Sequence, residues 1–318
     1  MLYFDNNIIS KIGFTWEETI HEIEKAINCM YKNDWSQPIK PYLRYRNSDN
    51  RIIAMPAYVG GDINVAGIKW ISSFPENIKK GIPRAHCIVV LNDSNTGVPI
   101  SIFNASLISI IRTCSVSGLI INNYCKRNCK NFYVIGIIGW GPIGQYHYRM
   151  VKSLLGNKIK KIHIFDINQI DSIDIEDDRV EIVDCWEKAY EGADIFITCT
   201  VATKRYIDKC PKGGALLLNI SLRDYKTSIY EVVKDTIIVD DWEEVCRENT
   251  DIENMYKECG LRREMTHNLQ DVLYNDYLQY VKDNQPIMFN PMGMGIFDLA
   301  IANYFYQKGM IKGKGVIL

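Results

Sequence analysis

The sequence predicts an α/β protein, with a doubly wound parallel sheet in the second half of the chain and a smaller α+β domain built from both chain ends. From Asn131 onward, short apolar runs alternate with helical stretches, a pattern typical of parallel strands buried on both faces. Residues 42–112 are instead mostly strand and turn material. The chain has 318 residues, and single cores stop growing at roughly 250 to 300 residues. We therefore predict one domain over 1–125 and 299–318, and another over 126–298.

The first domain begins with a predicted helix over residues 14–33. Thr15 is followed three residues later by Glu18, a spacing that lets the two residues form a capping box at the helix start. The strand region that follows contains the runs RIIAMPAYV, NVAGIKWISS and AHCIVVLND. Residues 105–125 are long, apolar and rich in small side chains, which predicts a buried helix.

Apolar runs predict the strands of the second domain, and stretches such as IGQYHYRMVKSLLG predict helices between them. The runs occupy residues 132–139, 161–166, 179–184, 194–200, 215–221 and 236–241. Repeated strand–helix–strand units of this kind form a parallel, doubly wound sheet. The tail, residues 291–309, is predicted to return to helix and to pack back on the first domain.

Charge and composition argue against several classes of function. The 37 basic and 38 acidic residues leave a net charge of −1, which favours neither nucleic acid nor an anionic membrane as partner. The N-terminus does not resemble a signal peptide, and no run approaches the roughly 20 apolar residues of a membrane helix. We expect a cytoplasmic protein. The ten cysteines are scattered singly and lack zinc-binding spacing, so we expect reduced thiols and no metal.

The segment FYVIGIIGWGPIGQYHYRM contains a dinucleotide-binding fingerprint. GxGxxG falls at Gly139, Gly141 and Gly144, after an apolar strand and at the start of a helix, and Asp166 ends the next predicted strand. The first glycine permits a tight turn, the second lets a pyrophosphate approach the backbone, and the third lets helix and strand pack closely. Asp166 would accept hydrogen bonds from a ribose diol and repel a 2′-phosphate. The pattern predicts a Rossmann domain that binds NAD; the alternative is a glycine-rich turn without a ligand.

A lysine, Lys69, stands in the middle of the apolar run VAGIKWISS. It could be an edge-strand lysine whose stem covers the sheet while its ammonium stays in water. It could instead line a pocket and meet a carboxylate or a carbonyl, because a buried ammonium needs a partner.

Further charged residues occur where ligand binding is expected. Arg112 lies in the buried helix and needs an anion nearby, either a protein carboxylate or a substrate carboxylate held bidentately. Lys40 and Arg44 add cations before the same sheet. Asp224 follows the predicted strand ALLLNIS, at the carboxyl edge of the sheet where ligands of such folds bind. A cap or turn aspartate is the alternative.

The chain resembles the ornithine cyclodeaminase/mu-crystallin family from end to end. The matching motifs are MPA (55–57), GIKW (67–70), a T-G-x-P turn (96–99), LISIIRT (107–113), the dinucleotide fingerprint, ITCT (197–200) and FDLA (297–300). In that family the lysine of the G-x-K motif and the arginine of the R-T motif bind the substrate carboxylate. The aspartate after the fifth Rossmann strand is the acid/base residue. These residues correspond to Lys69, Arg112 and Asp224.

The resemblance thus implies a full set of site residues. Lys69 and Asp224 are the expected catalytic residues. The expected substrate-binding residues are Lys40, Met55, Lys69, Arg112 and Gly293. The expected cofactor-binding residues are Gly139, Gly141, Pro142, Ile143, Gly144, Asp166, Thr200, Val201, Asn219 and Ser221. The family also implies a homodimer formed through the N-terminal sheet.

Within the family, stretches such as QPIKPYLRY, ITCTVATKRYI and IIVDDWEEVCRE resemble members that supply L-2,3-diaminopropionate to siderophore and peptide antibiotic pathways. The implied reaction is NAD-dependent oxidative cleavage of N-(2-amino-2-carboxyethyl)-L-glutamate to 2-oxoglutarate and L-2,3-diaminopropionate through an imine. This amino acid substrate carries several carboxylates, which the cationic side chains named above would bind. SLRDYKTS replaces the glycine-rich G-x-D-x-P-G-K-x-E of cyclodeaminases, and Phe297 stands where the family usually has Glu before Asp298.

Three alternatives remain open. An ornithine cyclodeaminase would convert ornithine to proline and ammonia with no net change in NAD. A ketimine or imino-acid reductase would transfer hydride in the opposite direction with NADPH, against which Asp166 argues. A binding protein would retain the cofactor fold without needing Asp224. His86 lies near the expected pocket; the alternative is a core or sheet-edge histidine without a role in the site.

Overall fold

The computed structural model describes residues 1–170 and 175–318 and divides into two compact units, each with its own sheet. One unit comprises Met1–Val116 and Gly293–Leu318, and the other comprises Ser117–Met292. In the described part of the chain, no helix is both long and apolar enough to span a membrane.

The first unit is built mainly from antiparallel strands. Its elements in chain order are β1 (Leu2–Phe4), α1 (Asn6–Ile12), α2 (Trp16–Tyr31), β2 (Trp35–Ser36), β3 (Tyr42–Tyr45), β4 (Asn47–Val59), β5 (Val65–Ser73), β6 (Ala85–Asp93), β7 (Pro99–Asn104) and α3 (Ser106–Asn128). The predicted capping box at the start of α2 is confirmed: the Glu18 N–H donates to Thr15 Oγ1, and the Thr15 N–H donates to Glu18 Oε2. The predicted buried helix is α3.

The second unit contains the elements β8 (Tyr133–Ile138), α4 (Pro142–Leu155), β9 (Ile159–Phe165), β10 (Val180–Ile182), α5 (Trp186–Tyr190), β11 (Ile195–Thr198), β12 (Leu216–Asn219), α6 (Tyr230–Val233), β13 (Ile237–Val239), α7 (Trp242–Val245), α8 (Asp251–Cys259), α9 (Leu269–Tyr274), α10 (Tyr277–Tyr280) and β14 (Ile287–Asn290). The chain then returns to the first unit through α11 (Gly295–Ile311) and β15 (Val316–Ile317).

The sheet of the second unit has the order β10-β9-β8-β11-β12-β14-β13, with parallel pairing throughout. The chain runs outward from β8 in both directions, which is the doubly wound arrangement. The predicted fold class is therefore confirmed. One strand was not predicted: β14 lies in the sheet between β12 and β13, the fifth and sixth predicted strands. Its four residues, flanked by Pro286 and Pro291, are too short for an apolar run to be distinguished from helix or loop.

The sheet of the first unit has the order β15-β1-β7-β6-β5-β4-β2, and β3 pairs with β4. Helix α11 packs on strands β4 and β5 and on α2. Its sequence is apolar on all sides, as expected for a helix inside a core, and Phe297 and Asp298 are both fully buried.

The unit boundary falls inside α3, whereas the sequence placed it after residue 125. The physical reason is that the C-terminal half of this continuous helix packs into the second unit. The Tyr124 hydroxyl donates to the carbonyl oxygens of Gly214 at 2.7 Å and Asp194 at 3.2 Å. The second boundary falls at Gly293, before α11 begins, because the whole helix belongs to the first unit.

Candidate active site

Lys69 lies on β5, between β4 and β6, and only 1% of its surface is exposed. Its Nζ donates to Ser109 Oγ at 2.8 Å and to Asp298 Oδ1 at 2.9 Å. The alternative in which the ammonium stays in water is therefore wrong. Burial lowers the pKa of Lys69; Asp298 opposes that shift, and Arg112 adds to it. The lysine is a buried cation held by a carboxylate of its own unit.

Arg112 binds the same carboxylate oxygen. It lies on α3, one helical turn after Ser109, and its Nε donates to Asp298 Oδ1 at 2.9 Å. Two basic side chains thus share one acidic group in a site where Arg112 is 11% exposed. Buried charges need compensation, so this arrangement favours binding of a further anion. A substrate carboxylate would supply it.

Gly293 lies directly against the Arg112 guanidinium. A Cβ at this position would stand 2.5 Å from Nη1 and 2.8 Å from Nη2, and the backbone φ of +88° also favours glycine. Lys40, which is buried, donates from Nζ to the Gly293 carbonyl oxygen at 2.7 Å. Met55 is paired with Lys69 in the β4–β5 register. The structure therefore brings together all the substrate-binding residues that the sequence predicted.

Asp298 is the residue at the centre of this cluster that the predicted site omitted. Its Oδ1 accepts from both cations, and its buried Oδ2 has no hydrogen-bond partner among the described residues. A signal was present in the sequence, because an aspartate inside the apolar helix GIFDLAIANYF needs a buried cation. Phe297, the departure from the family pattern, lies in the core beside it.

The fingerprint glycines lie between β8 and α4 in the second unit. Gly139 has φ +93°, and a Cβ there would stand 2.5 Å from the Cys199 carbonyl oxygen. A Cβ at Gly144 would stand 1.9 Å from the Gly139 carbonyl oxygen. The packing of this turn therefore requires both glycines.

Gly141 differs, because a Cβ there would meet nothing within 4 Å. The packing of the protein itself does not require this glycine, and it precedes Pro142 and Ile143 at the N-terminus of a 14-residue helix. Backbone N–H groups and the positive dipole end at such a terminus suit a pyrophosphate, and a glycine here lets the phosphate approach the backbone. The turn fits a dinucleotide.

Asp166 follows β9 and lies beside the same turn. Its Oδ2 accepts from the Trp140 N–H at 2.6 Å, and its Oδ1 accepts from the Asn168 N–H at 2.8 Å. The acid thus connects the glycine turn to the end of the neighbouring strand. This is the place that the fingerprint requires for the acid that recognises ribose.

Asp224 is fully buried in a hydroxyl-lined position of the second unit. The Thr200 hydroxyl donates to Oδ1, and the Ser221 hydroxyl donates to Oδ2. Thr200 follows β11 and Ser221 follows β12, so the carboxyl ends of adjacent strands bring these residues together. The neighbouring Val201 is exposed.

Asn219 is fully buried, and protein groups occupy its side-chain amide. Its Oδ1 accepts from the Leu222 N–H at 3.1 Å, and its Nδ2 donates to Asn290 Oδ1 at 2.8 Å and to Asp251 Oδ2 at 3.0 Å. Contact with a cofactor through this residue would therefore have to use its backbone.

Within the described ranges, no group of three or more His, Cys, Asp or Glu residues is arranged to hold a metal ion.

Comparison with known proteins identifies the family of the chain. A sequence model of the ornithine cyclodeaminase/mu-crystallin family matches residues 7–313. The chain belongs to this family. A Staphylococcus aureus relative, N-((2S)-2-amino-2-carboxyethyl)-L-glutamate dehydrogenase, is 30% identical over all of this chain and 98% of its own length.

Two solved structures share the fold of the present chain. Thermococcus litoralis Δ1-pyrroline-2-carboxylate reductase, in complex with NADH and L-proline, has a TM-score of 0.88 at 23% identity, with all of both chains covered. An archaeal alanine dehydrogenase dimer with bound NAD has a TM-score of 0.84 at 20% identity, covering 99% of this chain and 98% of that one. The likeness to these two structures establishes the fold.

Proposed function

We propose that this chain catalyses the NAD-dependent oxidative cleavage of N-(2-amino-2-carboxyethyl)-L-glutamate to 2-oxoglutarate and L-2,3-diaminopropionate. The observation that carries the proposal is that Lys69 and Arg112 share a single carboxylate oxygen of Asp298. Two buried cations on one acid leave one positive charge, which the carboxylate of an amino acid substrate would compensate; the choice among amino acids follows the most similar enzyme described above. The full-length similarity to the Staphylococcus aureus enzyme supports the same substrate.

The proposal gives the cofactor to the second unit. Gly139, Gly141 and Gly144 with the start of α4 would hold the pyrophosphate, and Asp166 would hold the adenosine ribose. Bound NAD supplies the hydride acceptor for the reaction. Asp166 is negatively charged where NADP would place its 2′-phosphate, so NAD is preferred.

The residues of the chain contribute binding and proton transfer. The Arg112 guanidinium binds one substrate carboxylate, and the Lys69 ammonium binds a second or polarises the reacting centre. When hydride leaves the glutamate Cα, the amine nitrogen loses its proton to Asp224, and a C=N bond forms. Asp224 then directs water to that carbon; addition of water and loss of the amine give the two products.

The net reduction of NAD and the products released distinguish this reaction from those of the other family members. Purified enzyme, NAD and either synthetic N-(2-amino-2-carboxyethyl)-L-glutamate or ornithine are mixed, and NADH absorbance, 2-oxoglutarate and ammonia are measured. The proposal predicts NADH and 2-oxoglutarate in equal amounts from the first substrate. Ammonia from ornithine without net NADH would assign the chain to the cyclodeaminases instead.

We further propose that the enzyme is a homodimer formed through the outer face of the first sheet. Trp70 and Ile88 are paired across β5 and β6 and are 40% and 44% exposed. An open groove of about 360 Å³ on the same sheet is lined by residues that include Pro56, Ala66 and Ile68. Light scattering should give twice the chain mass, and Trp70→Glu should give the chain mass; a monomeric wild type would refute this assembly.

A further inference from the structure

We propose that Asp251 is the positioning residue for Asp224: it holds the backbone of segment 219–225, which carries the Asp224 carboxylate. The inference rests on the proposed function, which assigns proton transfer to Asp224. Asp251 is the first residue of α8, and its side chain is fully buried. It acts through another residue and is given no contact with substrate or cofactor.

One oxygen of Asp251 binds three donors of the segment. Oδ2 accepts from Asn219 Nδ2 at 3.0 Å and from the backbone N–H groups of Asp224 and Tyr225, each at 3.2 Å. Asp251 therefore binds the backbone of Asp224, while the Thr200 and Ser221 hydroxyls bind its carboxylate. Hydrogen bonds to a charged acceptor are roughly twice as strong as neutral ones.

The backbone of Asp251 stabilises a strained residue in the same segment. Its N–H donates to the Leu222 carbonyl oxygen at 2.8 Å. Leu222 has φ +63°, a left-handed conformation that is strained for a residue other than glycine. Such conformations persist only where the surroundings determine them, and here Asp251 and Asn219 bind the two backbone groups of Leu222. The position of Asp224, two residues later, thus depends on Asp251.

Arg205 compensates the buried charge of Asp251. Its Nε donates to Oδ1 at 2.6 Å, and its Nη2 donates to the Asn249 carbonyl oxygen at 2.6 Å. Burial raises the pKa of Asp251, and hydrogen bonds from Asn219 and Arg205 oppose that shift. Arg205 therefore binds Oδ1 and fixes the orientation of the carboxylate, leaving Oδ2 for the segment that carries Asp224.

The test compares Asp251→Asn with Asp194→Asn. Asp194 is a matched control: it is also a buried acid of the second unit, it accepts from Lys130 and Lys212, and it binds the backbone N–H of Val134. Both variants lose a buried charge and both should unfold more easily. A purely structural role for Asp251 would make their kinetics per folded molecule the same.

We expect Asp251→Asn to lower kcat about 100-fold at saturating NAD, since displacement of a reacting group by about 1 Å costs on that order. KM for N-(2-amino-2-carboxyethyl)-L-glutamate should change less than about threefold, because Lys69 and Arg112 bind its carboxylates. Substrate deuterated at the glutamate Cα should show an isotope effect on kcat in this variant at least as large as in the wild type. Asp194→Asn should retain the wild-type kcat.

Equal kcat values for the two variants would overturn the positioning role. A wild type without turnover would instead refute the proposed function, and amide hydrogen exchange then decides the inference separately. Asp251→Asn should speed exchange at residues 222–225 relative to Asp194→Asn. Unchanged exchange there would show that Asp251 does not hold the segment.

Discussion

Replacing Gly293 with alanine should damage the site by displacing the Arg112 guanidinium. The new Cβ would lie 2.5 Å from Nη1 and 2.8 Å from Nη2, so the guanidinium must move by roughly 1 Å to reach ordinary contact distance. A shift of about 1 Å in a positioning group costs about 100-fold in rate. The backbone φ of +88° adds strain of order 1–3 kcal/mol for any residue other than glycine.

The glycine at position 97 offers a control that separates strain from displacement. Gly97 has φ +74°, and a Cβ there would meet nothing within 4 Å. Gly97→Ala should therefore lower the free energy of unfolding, as measured in urea, and leave kcat/KM unchanged. Gly293→Ala should lower both, with kcat/KM for N-(2-amino-2-carboxyethyl)-L-glutamate falling about 100-fold. Equal kinetics in the two variants would refute the assignment of Arg112 to the substrate carboxylate.

Three other substitutions test separate parts of the account. Asp298→Asn leaves Lys69 and Arg112 without their shared acid, so the free energy of unfolding should fall by about 3 to 5 kcal/mol. Added 2-oxoglutarate should then raise Tm more than in the wild type. A Tm equal to that of the wild type would show that Asp298 does not compensate these two cations. Asp166→Asn removes the charge facing a 2′-phosphate and should raise kcat/KM with NADP relative to NAD about tenfold or more; an unchanged ratio would exclude the acid from cofactor choice. His147 is fully buried, and burial lowers its pKa to about 4 from an ordinary 6.5, so protonation favours the unfolded chain. The free energy of unfolding should be highest above pH 6.5 and should fall by about 3 kcal/mol towards pH 4. In urea titrations across this pH range, His147→Asn should remove that fall. An unchanged pH dependence in the variant would refute the role of His147.

The fold was predictable where the sequence pattern is repetitive. Unalternated apolar runs separated by helices indicate parallel strands, and the glycine fingerprint located β8 and α4 within a residue or two. β14 was missed because four apolar residues have no measurable period. The unit boundary inside α3 was missed because a continuous helix carries no local sign of which core each half joins.

The members of the predicted site could be named from the sequence, but the hydrogen bonds between them could not. Lys69, Arg112 and Gly293 were each predicted as site residues, and the structure shows that Asp298 joins the two cations. Asp251 gave no such signal, since its partners lie 26 to 46 residues away in the chain. Long-range hydrogen bonds of this kind depend on strand order, which local sequence does not specify.

The most direct test of the central claim follows the hydrogen on the glutamate Cα. N-(2-amino-2-carboxyethyl)-L-glutamate deuterated at that carbon is incubated with enzyme and NAD, and the reduced cofactor and products are analysed by mass spectrometry. We predict deuterium in the reduced cofactor, with 2-oxoglutarate and L-2,3-diaminopropionate each formed in equal amount to it. Unlabelled cofactor, or no cleavage while ornithine yields ammonia and proline, would contradict the account.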